Sequence, residues 1–272
     1  MPTACSRIAA PFGLWLLCLN VFADEPPRVV TLAPHLTELV YAIQAEELLV
    51  GVVEYSDFPP AAQSLPRIGD AFRFDMERIL NLDADIALAW AGGTPRRVAD
   101  DLTRLGIEVY WLETRRMADL PKALRGLGQR LSMADAGQAA ARQFEQELGK
   151  LRQRHAGLEN ERRVFYQISR RPLYTLGGAH IFNDALSVCA MVNVFVDLPA
   201  EAAVVSREAV IDAQPDLILG SDPISTLAAD WQTPGFRSLI QVEVQTIDPD
   251  LLTRPSPRIL DGIRELCELR AP

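Results

Sequence analysis

The sequence predicts an α/β fold of two lobes joined by one long α-helix. Three observations predict it. Short β-rich runs alternate with helical periodicities, the succession returns 131 to 135 residues later, and a proline-free helical stretch separates the two copies. Such alternation builds parallel sheets, because parallel strands need a crossover connection, usually a helix.

The chain opens with a targeting segment. Residues 1–7 carry one charge, Arg7, and residues 8–21 are mostly apolar, with Leu14, Trp15, Leu16, Leu17 and Leu19. Val21-Phe22-Ala23 ends on a small residue. That order predicts a secretory signal peptide over residues 1–23. The apolar run is shorter than the ~20 residues a spanning helix requires. Leu17 before Cys18 departs from the small residue that lipid attachment uses.

The first lobe is expected over residues 24–133. Residues 28–32 read as a strand stopped by Pro34, residues 36–43 as a helix and residues 48–53 as a second strand. A short helix over 76–82, a strand over 86–90, a helix over 98–105 and a strand over 107–112 follow. Residues 134–160 contain no proline and place Phe144, Leu148 and Leu151 at helical spacing. They predict one connecting helix whose ~24 residues would span about 36 Å. The alternative is an ordinary amphipathic core helix of one larger domain. The second lobe, residues 161–272, repeats the first. Arg163-Val164-Phe165 opens a strand as Arg28-Val29-Val30 does, and Glu208 precedes Asp216-Leu217 as Glu77 precedes Asp85-Ile86.

Composition excludes several function classes. The net charge is −9, and removal of residues 1–23, which carry Arg7 and no acid, takes it to −10. Nucleic acid and anionic lipid are poor partners for such a chain, because both demand basic patches. The histidines His35, His155 and His180 have no metal-ligand spacing. No G-x-S-x-G elbow, phosphate-binding loop or dinucleotide fingerprint is present. No catalytic residue and no metal site is therefore assigned. Gly92-Gly93 and Gly177-Gly178 follow strand-like runs and read as turns. Cleavage after Ala23 removes Cys5 and Cys18, leaving Cys189 and Cys267. In an oxidising compartment that pair predicts a disulfide tying the C-terminal helix to the second lobe, the alternative being two separate buried thiols.

Aromatic residues mark the candidate binding site. Tyr55 and Phe58 follow the second strand, Phe72 and Phe74 precede the helix at Met76, Trp90 ends a strand, and Tyr174 lies in a loop after the Arg163 strand. Ligands of open parallel sheets bind beyond the carboxyl ends of strands, and aromatic rings there cover a broad flat ligand with little rotamer entropy lost.

Several segments carry a family resemblance. Thr31-Leu32-Ala33-Pro34-His35-Leu36-Thr37-Glu38-Leu39 resembles the opening strand-loop-helix of the helical-backbone, class III periplasmic binding proteins, which serve ABC importers of cobalamin, haem and ferric siderophores. Residues 50–60, the segment 74–90 with Met76-Glu77-Arg78-Ile79, Val205-Ser206-Arg207-Glu208 and Arg254-Pro255-Ser256-Pro257-Arg258-Ile259 resemble the cobalamin branch. The resemblance covers essentially the whole chain after residue 23.

It implies two Rossmann-like α/β lobes with the ligand cleft between them in a periplasmic protein, and a monomer is expected. The implied work is capture of a corrinoid and its delivery to an ABC transporter permease dimer, with cobalamin as cargo rather than cofactor. Tyr55 and Trp90 match cleft positions of the first lobe, Asp250 and Arg254 those of the second. Phe58, Tyr174 and His35 join them as ligand-binding candidates. Glu77 and Glu208 match acids that dock onto permease arginines, and Cys189 and Cys267 fall where the branch has its disulfide. Ala71 and Ala202 stand where the branch has cleft tryptophans, and Phe72 could replace the first. His35 has three readings: a metal ligand, as a haem-binding relative would use it; a hydrogen-bond or axial cobalt contact; or a cap on the helix that follows. The competing functions are a haem- or ferric-siderophore-binding protein of the same fold, and an exported enzyme.

Overall fold

Two parallel sheets of identical topology face each other across a shared core. The computed structural model describes residues 25–71, 73–158, 161–237 and 239–270. The expected signal peptide and Phe72 lie outside the described residues. The first lobe holds β1 (Val29–Thr31), α1 (Pro34–Ala42), β2 (Leu49–Val52), α2 (Met76–Asn81), β3 (Ile86–Trp90), α3 (Arg96–Arg104), β4 (Glu108–Leu112) and α4 (Asp119–Arg130). Its strands run parallel in the order β2-β1-β3-β4. Then comes α5 (Ala134–Arg154).

The second lobe begins with β5 (Arg162–Gln167), the hairpin of β6 (Ser169–Arg170) and β7 (Leu173–Leu176), α6 (Phe182–Val188), β8 (Met191–Asn193) and β9 (Ala202–Val204). It continues with α7 (Arg207–Asp212), β10 (Leu217–Gly220), α8 (Ile224–Trp231), α9 (Pro234–Arg237), β11 (Glu243–Thr246), α10 (Pro249–Thr253) and α11 (Ile259–Arg270). The parallel strands stand in the order β8-β5-β10-β11, matching the first lobe position for position. β6, β7 and β9 form a separate antiparallel sheet.

The repeat extends to single hydrogen bonds. Arg28 N donates to Asp85 Oδ2 at 2.8 Å, and Arg163 N donates to Asp216 Oδ2 at 2.8 Å. Asp75 caps α2 by accepting from Arg78 N at 2.9 Å, and Ser206 caps α7 by accepting from Ala209 N at 3.1 Å. Asp83 and Gln214, which end the corresponding turns, both adopt left-handed backbone, at φ 47° and 44°.

Strand residues alternate between layers, as period-two side chains in a sheet buried on both faces must. Val29, Ile86, Leu88, Val164, Tyr166, Leu217 and Leu219 point into one central cluster, which runs through Phe144, Leu148 and Leu151 of α5 and reaches Leu266 of α11. Val30, Ala87 and Ala89 face an outer cluster of the first lobe; Phe165 and Ile218 face one of the second. Because the central cluster spans both lobes, opening them would expose continuous apolar surface, at about 25 cal/mol per Å². α4 and α5 cross closely at Gly128 and Gly137, where a Cβ on Gly128 would lie 2.9 Å from Gly137 Cα.

Two boundaries differ instructively from expectation. α1 begins two residues early, at Pro34, whose fixed φ suits the first helical position. α5 stops at Arg154, six residues short of 160. Residues 152–158 are exposed or half-buried, and Gly157 turns left-handed at φ +79°, so little apolar contact rewards further helix there. Its 21 residues span about 32 Å. Cys189, at the end of α6, is disulfide-bonded to Cys267 of α11.

Candidate ligand-binding cleft

A cavity of about 360 Å³ opens at the carboxyl ends of β1, β2 and β3. Leu32 to His35, Val53 to Tyr55 and the Trp90–Thr94 turn supply the first lobe's wall, and Thr253, Arg254 and Pro255 supply the second lobe's. Strand ends are where a parallel sheet leaves side chains free to converge.

The loop carrying Tyr55 is held from beneath. Thr31 Oγ1 and Thr37 Oγ1 lie 2.6 Å apart, and Thr37 Oγ1 donates to Ser56 Oγ at 3.2 Å, pinning the loop to β1 and α1. Arg67 Nη1 donates to the carbonyls of Val53 and Ser56 at 3.1 and 3.0 Å. Between these anchors Tyr55 takes a left-handed backbone at φ 64°, a conformation costing a bulky residue roughly 1–3 kcal/mol. Its side chain is left 75% exposed. A strained backbone presenting an exposed ring has no packing rationale, which makes the ring itself the feature the loop delivers.

Trp90 is held differently. Its backbone N–H donates to Thr94 Oγ1 at 2.9 Å, and the turn folds Gly92 and Gly93 against the indole. A Cβ at Gly93 would sit 2.3 Å from ring carbons. These glycines are therefore required by close approach to the indole as well as by the turn. His35 meets Trp90 edge-on, with centroids 5.1 Å apart and planes at 84°. His35 is buried inside the first turn of α1 and makes no cap hydrogen bond; the backbone of Ala33 holds the cap position, which removes the capping role considered for it. Burial first, then the positive charge of Arg254, holds its imidazole down at about 3, so it is neutral at pH 7.

Arg254 reaches across the lobes. Its guanidinium pairs with Asp57 at 2.7 Å, Asp250 at 2.8 Å and Glu38 at 3.4 Å. Glu38, on α1 and only 4% exposed, is a hub. Ser256 Oγ donates to it at 2.5 Å and Arg258 Nη1 at 3.2 Å. Burial pushes its carboxyl up while these donors pull it back. Two segments more than 200 residues apart, the Thr31–Leu39 motif and the Arg254–Ile259 motif, thus meet on one carboxylate. A second set of bridges crosses elsewhere: Arg115 to Glu201 at 3.2 Å, Arg116 to Asp184 at 2.7 Å, and Met117 N to Asp184 Oδ2 at 2.7 Å.

The structure brings His35, Tyr55, Trp90 and Arg254 to one cavity, with Ala71 and Phe74. Three other candidates stand elsewhere. Phe58 lies under the Arg258 guanidinium, 3.9 Å from ring centroid to Cζ, and Asp250 braces Arg254; neither lines the cavity. Tyr174 is on β7, not in a loop, opposite Val204 of β9, and does not line the cavity either. Its strand pairs on one edge with β6 in a local hairpin and on the other with β9, 30 residues on, a partner that local sequence cannot reveal. Ala202 starts β9, exposed. Glu77 and Glu208 stand exposed in the first turns of α2 and α7. Glu208's own backbone N–H, followed by the Ser206 hydroxyl, holds its carboxyl below the usual range.

Sequence reasoning did not single out Glu38, Ser256 or Arg258. All three lie inside quoted motifs, but a glutamate one turn into a helix ordinarily reads as solvated, and only the fold buries it. Among the described residues no group of three or more His, Cys, Asp or Glu is arranged to hold a metal ion, and no helix is long and apolar enough to cross a membrane.

Comparisons with known proteins agree on one family. The sequence model of the periplasmic binding protein family matches residues 29–240. The chain is 35% identical over 256 residues to a vitamin B12-binding protein of Pectobacterium carotovorum, covering 93% of this chain and 91% of the relative. It is 34% identical over 242 residues to one of Vibrio cholerae, covering 88% and 87%. The crystal structure of the periplasmic vitamin B12 binding protein BtuF of Vibrio cholerae superposes with a TM-score of 0.82 at 33% identity, covering 89% of this chain and 96% of that one. The periplasmic heme-binding protein RhuT of Roseiflexus superposes with a TM-score of 0.79 at 22% identity, a likeness of fold. With two repeated α/β lobes, a spanning helix and a cleft at the strand ends, the chain belongs to the periplasmic binding protein family.

Proposed function

We propose that the protein captures vitamin B12, or a closely related corrinoid, in the periplasm and hands it to the permease of an ABC transporter. The observation that carries this reading is the pairing of Tyr55, exposed on strained backbone, with Trp90, seated on two glycines, at one cavity between the lobes. Two rigidly delivered aromatic rings suit a broad flat macrocycle. The vitamin B12-binding names of relatives matching most of the chain support the same choice. In this reading residues 1–23 are a signal peptide, residues 24–133 and 161–272 the lobes, and residues 134–160 the connection. His35 contributes to the cleft alongside Arg254, and the protein works as a monomer.

Delivery rests on Glu77 and Glu208. They occupy equivalent turns of the repeat, exposed at two helix N-termini, and a two-fold permease presents two equivalent surfaces. Carboxylate–arginine pairs are directional enough to fix an orientation. Gel filtration of mature protein with cyanocobalamin, followed by a visible spectrum, should show the corrinoid co-eluting at equal stoichiometry. Co-elution of haemin but not cyanocobalamin would overturn the ligand. Glu77→Ala with Glu208→Ala should bind cyanocobalamin normally and import it poorly; unimpaired import would overturn the docking role.

A further inference from the structure

We propose that the cleft selects its corrinoid by charge, accepting a macrocycle rimmed with uncharged carboxamides and rejecting the same macrocycle rimmed with carboxylates. This deepens the corrinoid reading and rests on it.

Among the described residues lining the cavity, Arg254 is the only Lys or Arg. It is not available to an anion. Asp57, Asp250 and Glu38 surround its guanidinium at 2.7, 2.8 and 3.4 Å, and the side chain is 13% exposed. Arg258 beside it shares Glu38 at 3.2 Å and is stacked on Phe58. Three carboxylates thus face two guanidinium groups, leaving a net negative cluster behind the second lobe's wall. On the first lobe's wall Glu54 adds an exposed carboxylate. His35 is neutral and adds no positive charge.

An entering carboxylate would shed water, find the Arg254 and Arg258 guanidinium groups already paired with carboxylates and approach a like charge. Like-charge contacts of this kind disfavour binding by about a hundredfold or more. A primary carboxamide meets the same wall without conflict. Its N–H groups can donate to a carboxylate such as Glu54, and its carbonyl can accept from a guanidinium N–H edge or an indole N–H. Fully amidated corrinoids carry carboxamides around the ring, whereas their acid forms carry carboxylates in the same places. The carboxylates around Arg254 are then positioning and specificity residues: they keep the guanidinium in place while cancelling its attraction for anions.

The test is isothermal titration with dicyanocobinamide, whose ring side chains are amides, and dicyanocobyrinic acid, whose side chains are acids. The acid should bind about a hundredfold more weakly to the unaltered protein. Asp57→Asn removes one carboxylate from Arg254 at a half-exposed position, and should narrow the acid-to-amide gap about tenfold, the scale of one charged hydrogen bond. Glu54→Gln, at an exposed position, should narrow it as well. Equal affinity for both compounds, or a gap unchanged in both variants, would overturn charge selection while leaving corrinoid capture intact. Binding of neither compound, nor of cyanocobalamin, would instead remove the corrinoid reading on which the proposal stands.

Discussion

Acidification from pH 7 to pH 5 should destabilise the protein through two buried histidines. His35, 4% exposed, is held at about 3 by burial first, then by Arg254 and His180; His180, 8% exposed, is held at about 4 by burial, against a hydrogen bond to the Thr253 backbone. In the unfolded chain each titrates near 6.5. The unfolded state therefore binds more protons across this window, and stability falls as pH falls. The contribution of the neutral rings is full above 6.5 and diminishes on the way to the folded values. Each histidine removes about 2 kcal/mol between pH 7 and pH 5, about 4 kcal/mol together. That is a large share of the 5–15 kcal/mol typical of a domain. Urea unfolding followed by circular dichroism at pH 7, 6 and 5 measures it. His35→Gln and His180→Gln should each remove about half of the pH dependence, whatever they do to stability at pH 7. Equal unfolding midpoints at pH 7 and pH 5, or an undiminished slope in the double variant, would refute the reasoning.

Other perturbations have separable outcomes. Trp90→Ala and Tyr55→Ala should each weaken cyanocobalamin binding by about 2 kcal/mol with unchanged circular dichroism. Removing Tyr55's left-handed strain with Tyr55→Gly should stabilise the fold while still losing ligand, a combination that packing alone would not produce. Glu38→Ala strips a buried carboxylate from Ser256, Arg254 and Arg258, and should cost about 3 kcal/mol in chemical denaturation, the low end for a buried pair because Arg254 keeps Asp57 and Asp250. Reduction of Cys189–Cys267, which closes a separation of 78 residues, should lower stability by about 4 kcal/mol. An unchanged denaturation midpoint in dithiothreitol would contradict that value.

Local patterns in the chain were enough to determine the succession of elements in the first lobe as far as residue 112, and the connecting helix after it. Val29–Thr31, Ile86–Trp90 and Leu217–Gly220 are apolar runs of strand length bounded by turn residues, and no helix competes for them. The repeat was legible because equivalent turns reuse the same residue types: an arginine opens β1 and β5, and the aspartate before β3 and β10 accepts from its backbone N–H. Trp90 and Tyr55 were legible as cleft residues because strand ends can be found from strands. Tertiary structure alone decided the rest. The burial of Glu38, the neutralisation of Arg254 and the pairing of β7 with β9 all join residues distant along the chain. Tyr174, Phe58 and Asp250 were aromatic or charged in suggestive places, yet neighbours supplied by folding turned them to bracing or to another sheet. A residue's type sets which contacts it can make, and its periodicity sets which face it occupies. Which partner then arrives, and whether water is excluded with it, depends on the folded chain, as where Glu38 and Arg254 meet across a separation of 216 residues, and that is where the charge of this cleft is set.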